Sequence, residues 1–251
     1  MIDIHSHILP EIDDGPSTLE GSLQMARIAV KDDIEIMIAT PHCLNGLYVN
    51  WREQILSACA KFNAALKRHC IPLTVLPGSE IHLSPEIMDA LDKNQLMTLN
   101  DTGRYLSLEL PDQFIPQSVI RFINRLKKRK ITPIISHPER NRAIQHNIEL
   151  LYDFILAGAL SQITAGSLTG TFGSHALHSC QSIIERQMIH FIASDAHSPQ
   201  ARPPKLQAAF KILYSIAGKS RAESIIFKAP QAVIEGKEFG TQGEFFILPI
   251  R

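Results

Sequence analysis

The feature that most constrains the fold is a regular alternation of short apolar segments with amphipathic helical stretches. Seven apolar segments are predicted to be strands, at residues 2–4, 34–40, 73–76, 105–110, 132–136, 160–165 and 189–194. Strands that alternate with helices in this way form parallel sheets covered by helices. Seven such units, with no Gly-x-Gly-x-x-Gly turn after the first strand, favour an α/β fold of the distorted (β/α)7 TIM-like barrel type over an open doubly wound sheet.

One domain spanning residues 1–251 is expected, because no Gly/Ser-rich linker or low-complexity segment interrupts the alternation. The last helix with clear apolar periodicity covers residues 206–216. The apolar stretch at residues 245–250 is interpreted as a short strand or a packed tail, and no function is assigned to it.

The charge balance argues against two classes of partner. The 25 Lys and Arg residues equal the 25 Asp and Glu residues, so the chain lacks the basic surface expected for nucleic acid or an anionic membrane. No apolar run approaches the roughly 20 residues of a membrane span, and no signal peptide is recognised. The four cysteines are never spaced Cys-x-x-Cys and are expected to be reduced thiols. These features predict a cytoplasmic protein without membrane insertion.

Potential metal ligands occur where the predicted strands end. Parallel barrels build their sites from side chains at the carboxyl ends of strands. The candidates are His5, His7, Asp14, His42, Glu80, Glu109, His137, Asp195 and His197. Only the sixth strand contributes none. Imidazoles and carboxylates without a thiolate suit Mn, Fe or Zn in hydrolytic chemistry, whereas a structural zinc site more often uses cysteine.

Position along the strands, more than residue type, distinguishes these candidates. A single His-x-His pair such as His5 and His7 is weak evidence in a chain with 11 histidines. His82 shares a strand face with Glu80 but is not assigned as a ligand. His190 begins a strand, so it is expected at the opposite end of the barrel. The remaining histidines, His69, His146, His175 and His178, are predicted on solvated helices or their ends.

Nine candidate ligands are too many for one ion. Four to six protein ligands per ion, with bridging carboxylates, imply two or three divalent ions about 3.5–4 Å apart. Such a cluster lowers the pKa of a bridging water, so a metal-bridged hydroxide is the expected nucleophile. No cysteine is predicted to lie in a Cys-x5-Arg loop of the usual tyrosine-phosphatase type, and no Gly-x-Ser-x-Gly elbow occurs.

Two arginines close to these ligands are candidates for a catalytic role. Arg140 lies three residues after His137, and Arg202 lies seven residues after Asp195. Guanidinium groups bind phosphate through paired hydrogen bonds and stabilise charge that develops on its oxygens. A loop salt bridge is the alternative for either residue, and Arg142 is the nearest competitor of Arg140. Two such arginines favour a phosphoester substrate.

The candidate residues lie in motifs that resemble a known superfamily. The segments are 3–15 (DIHSHILPEIDDG), 39–42 (ATPH), 78–80 (GSE), 108–111 (LELP), 136–140 (SHPER), 165–168 (AGSL) and 193–197 (ASDAH). The first resembles the opening motif of the polymerase-and-histidinol-phosphatase (PHP) superfamily. Together the segments are similar to the bacterial manganese-dependent protein-tyrosine phosphatases of capsule and exopolysaccharide operons, from residue 1 to about residue 215.

The resemblance implies a PHP fold with a trinuclear site, most readily of Mn²⁺. The implied ligands are His5, His7, Glu80 and Asp195 for the first ion, Glu80, Glu109 and His137 for the second, and Asp14, His42 and His197 for the third. Arg140 and Arg202 would hold the phosphate. The implied partner is a phosphotyrosine protein, the tyrosine kinase of a polysaccharide export system. Cys43 stands where many relatives carry a second histidine, so local loop contacts are expected to differ while the ligand set persists.

Three other functions stay open. A small-molecule phosphatase, such as a histidinol-phosphate phosphatase, would share every metal ligand. A nuclease or proofreading domain of the same superfamily is disfavoured by the zero net charge, and the basic cluster at residues 121–130 is interpreted as a solvated helix face. A non-enzymatic metal-binding regulator is the least favoured, because it would leave Arg140 and Arg202 without a purpose.

Overall fold

The structure is a computed structural model that describes residues 1–238, and its strands follow the seven apolar segments. The strands are β1 (Ile2–Ser6), β2 (Ile36–Ala39), β3 (His42–Cys43), β4 (Thr74–Pro77), β5 (Glu80–His82), β6 (Tyr105–Glu109), β7 (Thr132–Ser136), β8 (Leu160–Thr164) and β9 (Phe191–Ala193). The helices are α1 (Leu19–Lys31), α2 (Arg52–Arg68), α3 (Ile87–Asp92), α4 (Val119–Lys128), α5 (Arg142–His146), α6 (Glu149–Leu156), α7 (Ala165–Leu168), α8 (Gly173–Glu185), α9 (Gln207–Ala217), α10 (Lys219–Glu223) and α11 (Ala229–Ile234). Two 3-10 turns (Leu99–Asp101, Pro138–Arg140) and one π turn (Ser224–Lys228) accompany them. The predicted tail segment 245–250 lies outside the described residues.

Two of the predicted strands are broken in the structure. The second continues past Pro41 as β3, and the third continues past Gly78 as β5. A Cβ atom at Gly78 would lie 2.5 Å from Cγ2 of Ile38 and 3.1 Å from the carbonyl oxygen of Ala39. Glycine is therefore required at this break, because any side chain would push the neighbouring strand away.

All paired strands are parallel, as the α/β prediction requires. The described strands form two sheets, ordered β1-β2-β4 and β3-β5-β6-β7-β8-β9. The sheets meet where the chain after β9 pairs with β1: the amide of His7 donates to Ala196 O at 2.8 Å, and the amide of Asp195 donates to His5 O at 2.9 Å. The parallel α/β class is confirmed, but within residues 1–238 the strands are not joined into one continuous closed barrel.

The apolar core has two parts. The larger part lies mainly between the helices and the strands. The smaller part consists of side chains that most of the strands contribute at alternate positions. Ile4 and Phe191 belong to the smaller cluster, together with Ala229 and Val233 of α11. Helices α10 and α11 follow the last helix that apolar periodicity indicated, at residues 206–216. Burial on both faces explains why the strands are nearly continuous apolar runs.

The helix caps and the buried helix faces agree with what the sequence indicates. Thr18 caps α1 by accepting a hydrogen bond from the amide of Gly21 at 3.1 Å. Helix α4 buries Val119, Ile123 and Leu126, while its basic side chains are exposed, which is the predicted solvated face. Within residues 1–238, every helix is too short or too polar to cross a lipid bilayer.

Candidate metal centre

The predicted site residues converge on one cavity at the carboxyl ends of the strands. The cavity has a volume of about 380 Å³. Seven of the nine candidate ligands line it, together with Arg140, Arg142 and Arg202: Asp14, His42, Glu80, Glu109, His137, Asp195 and His197. The other two, His5 and His7, are each 1% exposed and lie against Glu80 and Asp195. The structure therefore brings all nine together.

Glu80 of β5 lies at the centre of the cluster. Its Oε2 atom is 3.4 Å from Nε2 of His5, 3.5 Å from Nε2 of His7 and 3.2 Å from Nδ1 of His42. Its Oε1 atom is 2.9 Å from Nε2 of His137. One carboxylate thus faces four imidazoles, as expected of a ligand that bridges two ions.

Asp195 divides its two oxygens between histidines and arginines. Its Oδ1 atom lies 3.5 Å from Nε2 of His5 and 3.6 Å from Nε2 of His7. Its Oδ2 atom forms an ion pair with Arg140 at 2.6 Å and accepts a hydrogen bond from Arg202 at 2.5 Å. The carboxylate therefore connects the histidine cluster to both candidate phosphate-binding residues.

The remaining ligands surround the mouth of the cavity. Oδ1 of Asp14 lies 3.5 Å from Nε2 of His42 and 3.5 Å from Nε2 of His197. Glu109 lies 3.8 Å from Nδ1 of His42 through Oε2 and 3.8 Å from Nε2 of His137 through Oε1. These short separations leave no candidate ligand isolated from the cluster.

The donor set fits divalent cations. Three groups have ligand atoms within 4.8 Å of one another: His7, Asp14, His42 and His197; His5, His7 and Glu80; and His42, Glu80 and Glu109. The buried atoms Nδ1 of His42 and Oε2 of Glu80 make no hydrogen bond within the described residues, although they lie 3.2 Å apart. Buried polar atoms without a hydrogen bond are rare, and ion coordination would satisfy them. Nitrogen and oxygen donors without sulfur suit Mn, Fe or Zn.

Three histidines of the cluster are oriented by contacts of their Nδ1 atoms. Nδ1 of His5 lies 2.7 Å from Oε1 of Gln162, and Nδ1 of His7 lies 2.6 Å from Oδ2 of Asp13. Nδ1 of His197 lies 3.0 Å from the carbonyl oxygen of Asp195. Each contact assigns the proton to Nδ1 and directs Nε2 towards the cluster, the usual arrangement for metal-binding histidines.

Sequence reasoning missed the orienting role of Gln162 and Asp13. The sixth strand was expected to contribute nothing, yet Gln162 lies on β8 and is buried. The strand sequence LSQIT contains other polar residues, so no local signal singled out this glutamine. Asp13 precedes the candidate ligand Asp14 and was not singled out, but its carboxylate also accepts from the amides of Gly15 at 3.0 Å and His42 at 3.1 Å.

Two residues at the ends of strands adopt left-handed backbone conformations. His137 has φ 35° and ψ 50°, and Asp195 has φ 51°. Such conformations in residues other than glycine are sparsely populated and cluster at functional sites. The turn after His137 is held by buried Glu139, whose Oε1 accepts from the amide of Thr164 at 3.0 Å and from Oγ of Ser167 at 2.6 Å. This anchor, also missed from sequence, determines where the next residue, Arg140, projects.

Electrostatics keep the two central carboxylates ionised. Burial alone would raise the pKa of Glu80, but the charges of His5 and His137 hold that pKa well below its usual value. Burial opposes ionisation of Asp195 as well, and the guanidinium group of Arg140 and the imidazole of His5 lower its pKa. Both side chains are therefore anions at neutral pH, the state that binds cations.

The pKa values of the neighbouring histidines His7 and His197 are shifted in opposite directions. Burial alone would lower the pKa of His7, but the carboxylate of Asp13 raises it well above its usual value. Burial and the adjacent charge of His7 lower the pKa of His197 to about 2. The two rings stack with centroids 3.9 Å apart, so both cannot carry a charge without strong repulsion.

His82, Arg140 and Arg142 lie near the candidate ligands but make different contacts. Nδ1 of His82, which was not assigned as a ligand, lies 3.2 Å from Oε2 of Glu109. Arg140 and Arg142 both line the cavity, but Arg140 is the one that forms an ion pair with Asp195. His82 therefore contacts one candidate ligand, and Arg140 rather than Arg142 contacts the central carboxylate Asp195.

Neither Cys43 nor Cys180 is suited to act as a nucleophile. Cys180 and Arg186 have the Cys-x5-Arg spacing, but they lie on α8 and at its C-terminal cap rather than in a phosphate-binding loop. The thiols of Cys43 and Cys180 are both fully buried. Burial raises the pKa of Cys180 well above its usual value and that of Cys43 to about 11. Both are therefore protonated at neutral pH, when only a thiolate would attack phosphorus.

Comparisons with known proteins show to which family the chain belongs. A family model described as capsular polysaccharide synthesis, CpsB/CapC, matches residues 1–235. The tyrosine-protein phosphatase YwqE of Bacillus subtilis (strain 168) is 40% identical over 253 residues, covering 96% of this chain and 99% of YwqE. The putative tyrosine-protein phosphatase CapC of Staphylococcus aureus is 37% identical over 212 residues, covering 84% of this chain and 82% of CapC.

A solved structure is similar over the whole length of the chain. It comes from work on YwqE from Bacillus subtilis and CpsB from Streptococcus pneumoniae, described there as unique metal-dependent tyrosine phosphatases. The TM-score is 0.93 and the sequence identity 38%, covering 100% of this chain and 98% of that one. Family model, relatives and structure agree, and the chain belongs to the CpsB/CapC family of capsular polysaccharide synthesis.

Proposed function

We propose that this chain is a metal-dependent protein-tyrosine phosphatase that hydrolyses phosphotyrosine. The observation that carries the proposal is the convergence of nine histidine and carboxylate side chains with Arg140 and Arg202 at one cavity. The similarity of this chain to proteins named tyrosine-protein phosphatases supplies the reaction class. Buried, protonated Cys43 and Cys180 disfavour the cysteine-based alternative for the same reaction.

The proposed cofactor is a set of two or three divalent ions, most readily Mn²⁺, with Fe or Zn as alternatives. The first ion would be held by His5, His7, Glu80 and Asp195, the second by Glu80, Glu109 and His137, and the third by Asp14, His42 and His197. His7 lies close enough to the last set to serve it as well. Glu80 is proposed as a bridge because it lies within 3.5 Å of histidines of the first two sets.

When bound, such ions supply an activated water as nucleophile and neutralise charge on the phosphoryl oxygens. Arg140 and Arg202 supply the protein's own cationic donors. Both guanidinium groups reach Oδ2 of Asp195, so they lie side by side at the cavity wall. A phosphate in the cavity can accept from both and receives more stabilisation as negative charge accumulates on its oxygens.

The proposed substrate is a phosphotyrosine protein, namely a tyrosine kinase that controls polysaccharide export. The family description supports a link to capsular polysaccharide synthesis, and the names of the relatives support a phosphotyrosine protein as substrate. The kinase is what the resemblance of the sequence motifs implies. We also infer a cytoplasmic location, since four cysteines without a disulfide suit a reducing compartment. A single domain spanning residues 1–251 is part of the same proposal.

The metal requirement is tested by hydrolysis of p-nitrophenyl phosphate after chelation, with and without added Mn²⁺. Activity is expected only with metal, and full activity without it would overturn the mechanism. His137→Ala should abolish most of the activity, because His137 contacts Glu80 at 2.9 Å. His69→Ala, at the exposed end of α2, is the matched control and should stay active.

Substrate class is tested by a separate comparison. A phosphotyrosine peptide and histidinol phosphate are offered to the Mn²⁺-loaded enzyme at equal concentrations. The proposal predicts a higher kcat/KM for the peptide. Preference for histidinol phosphate would favour the small-molecule phosphatase, which would use the same ligands.

A further inference from the structure

Two positive charges share one carboxylate oxygen at the cavity wall. The guanidinium groups of Arg140 and Arg202 both form ion pairs with Oδ2 of Asp195, at 2.6 Å and 2.5 Å. Each cation is attracted to this oxygen, while the two guanidinium groups repel each other because they approach the same atom. A further contact that attracts both cations would oppose this repulsion and help to keep the two groups side by side.

The ring of Phe172 supplies that contact. The guanidinium carbon of Arg140 lies over the ring at 4.8 Å from its centroid, and that of Arg202 lies over it at 5.5 Å. Both distances are within the range of about 6 Å for a cation–π interaction. The negative face of an aromatic ring attracts a cation without using its hydrogen-bond donors. Both arginines therefore keep N–H groups for other partners.

The position of Phe172 depends on a glycine opposite its ring. Phe172 lies between α7 and α8, and a Cβ atom at Gly166 would come within 2.8 Å of its Cε2 atom. The amide of Thr171 donates to the carbonyl oxygen of Gly166 at 2.8 Å, which holds the loop against α7. This contact explains a motif that supplies no ligand, the segment 165–168 (AGSL).

We propose that Phe172 is a positioning residue that holds the guanidinium groups of Arg140 and Arg202 side by side for one phosphate. The role rests on the proposed phosphatase function. Phe172 itself contacts the arginines and not the reacting atoms. Its aromatic face, rather than its bulk, is the property that matters.

Two substitutions of Phe172 test whether its aromatic face or its bulk positions the arginines. Phe172→Leu keeps an apolar side chain without the ring, and Phe172→Tyr keeps the ring. The leucine variant should lose roughly 5- to 30-fold in kcat/KM for a phosphotyrosine peptide, the factor expected from two partly exposed cation–π contacts. The tyrosine variant should stay within about 2-fold of the parent, since tyrosine presents a similar ring face. Phe227→Leu, on the π turn and 41% exposed, is the matched control and should leave kcat/KM unchanged.

A second measurement does not depend on catalysis. Ring currents shift the NMR resonances of protons that lie over an aromatic face, so the guanidinium protons of Arg140 and Arg202 should resonate upfield. Arg140→Lys and Arg202→Lys identify the two signals. Phe172→Leu should remove the upfield shift from both, and Phe172→Tyr should retain it.

The outcomes distinguish this proposal from the phosphatase proposal. An inactive parent protein with shifted guanidinium signals would overturn the proposed function and leave the contact intact. An active parent with Phe172→Leu at full activity would overturn the positioning role. Equal losses in Phe172→Leu and Phe172→Tyr would also overturn it, because the ring face would then not be what matters.

Discussion

Nδ1 of His5 on β1 lies 2.7 Å from Oε1 of Gln162 on β8, a contact between residues 157 positions apart. It turns Nε2 of His5 towards Glu80 and Asp195. Strand β8 therefore contributes to the centre through a residue that orients a ligand. Metal-binding histidines depend on such contacts for their tautomer and ring orientation.

Gln162→Leu is expected to weaken Mn²⁺ binding by roughly 10- to 100-fold, the usual effect of losing such an orienting contact. Gln162→Glu keeps an oxygen acceptor for Nδ1 of His5 and should bind more tightly than the leucine variant. The measurement is a Mn²⁺ titration followed by electron paramagnetic resonance. Unchanged affinity in Gln162→Leu would show that the orientation of His5 is set elsewhere.

Asp13→Asn is expected to reduce both Mn²⁺ affinity and activity by roughly 10- to 100-fold. Asp13 accepts from Nδ1 of His7 at 2.6 Å and from the amide of His42 at 3.1 Å, so it positions two candidate ligands through one oxygen. An amide retains only one acceptor oxygen and weakens these bonds. Metal titration and p-nitrophenyl phosphate assays check this, with Asp153→Asn on the exposed face of α6 as control. Equal behaviour of the two variants would contradict it.

Arg202→Ala is expected to lower kcat/KM on the order of 10²- to 10³-fold, the effect of removing one donor to transition-state charge. Arg202→Lys should recover only part of this, because an ammonium group lacks the paired donors of a guanidinium group. Steady-state kinetics with a phosphotyrosine peptide check both variants at saturating Mn²⁺. If Arg202→Lys matches the parent, charge alone is sufficient at this position.

Buried His190 is expected to make stability depend on pH. Burial and the nearby charge of Arg221 lower the pKa of His190 to about 3, and its Nδ1 accepts from the amide of Ser161 at 3.2 Å. Since the pKa is lower in the folded state, protonation favours the unfolded state. The resulting loss of stability begins as pH falls below about 6.5 and continues towards pH 3.

The measurement is urea unfolding of the parent and of His190→Asn at pH 7.5 and pH 5.5. Asparagine keeps an acceptor for Ser161 but cannot be protonated. The free energy of unfolding of the variant relative to the parent should therefore rise by about 1.4 kcal/mol on going to the lower pH. If the free energies of unfolding of variant and parent differ by the same amount at both pH values, His190 is not the cause of the pH dependence.

Much of the centre could be predicted because its residues follow a local rule. The carboxyl ends of parallel strands meet at one end of such a fold, so side chains such as His42, Glu80 and Asp195 were expected to converge, and they do. The alternation of apolar segments likewise predicted the parallel strands. These inferences need only the position of a residue within its own element.

The remaining features depend on contacts between distant parts of the chain. Gln162 and Phe172 are ordinary strand and loop residues by local pattern. Only tertiary contacts give them roles, between Gln162 and His5 and between the ring of Phe172 and the two arginines. The broken strands at Pro41 and Gly78 and the added helix α11 are also consequences of packing. The amino-acid sequence alone determined the class of fold and which side chains face the cavity, because both follow from periodicity along the chain. Tertiary structure alone decided which atoms orient those side chains, because hydrogen bonds and ring contacts depend on distances of a few ångströms between elements far apart in sequence.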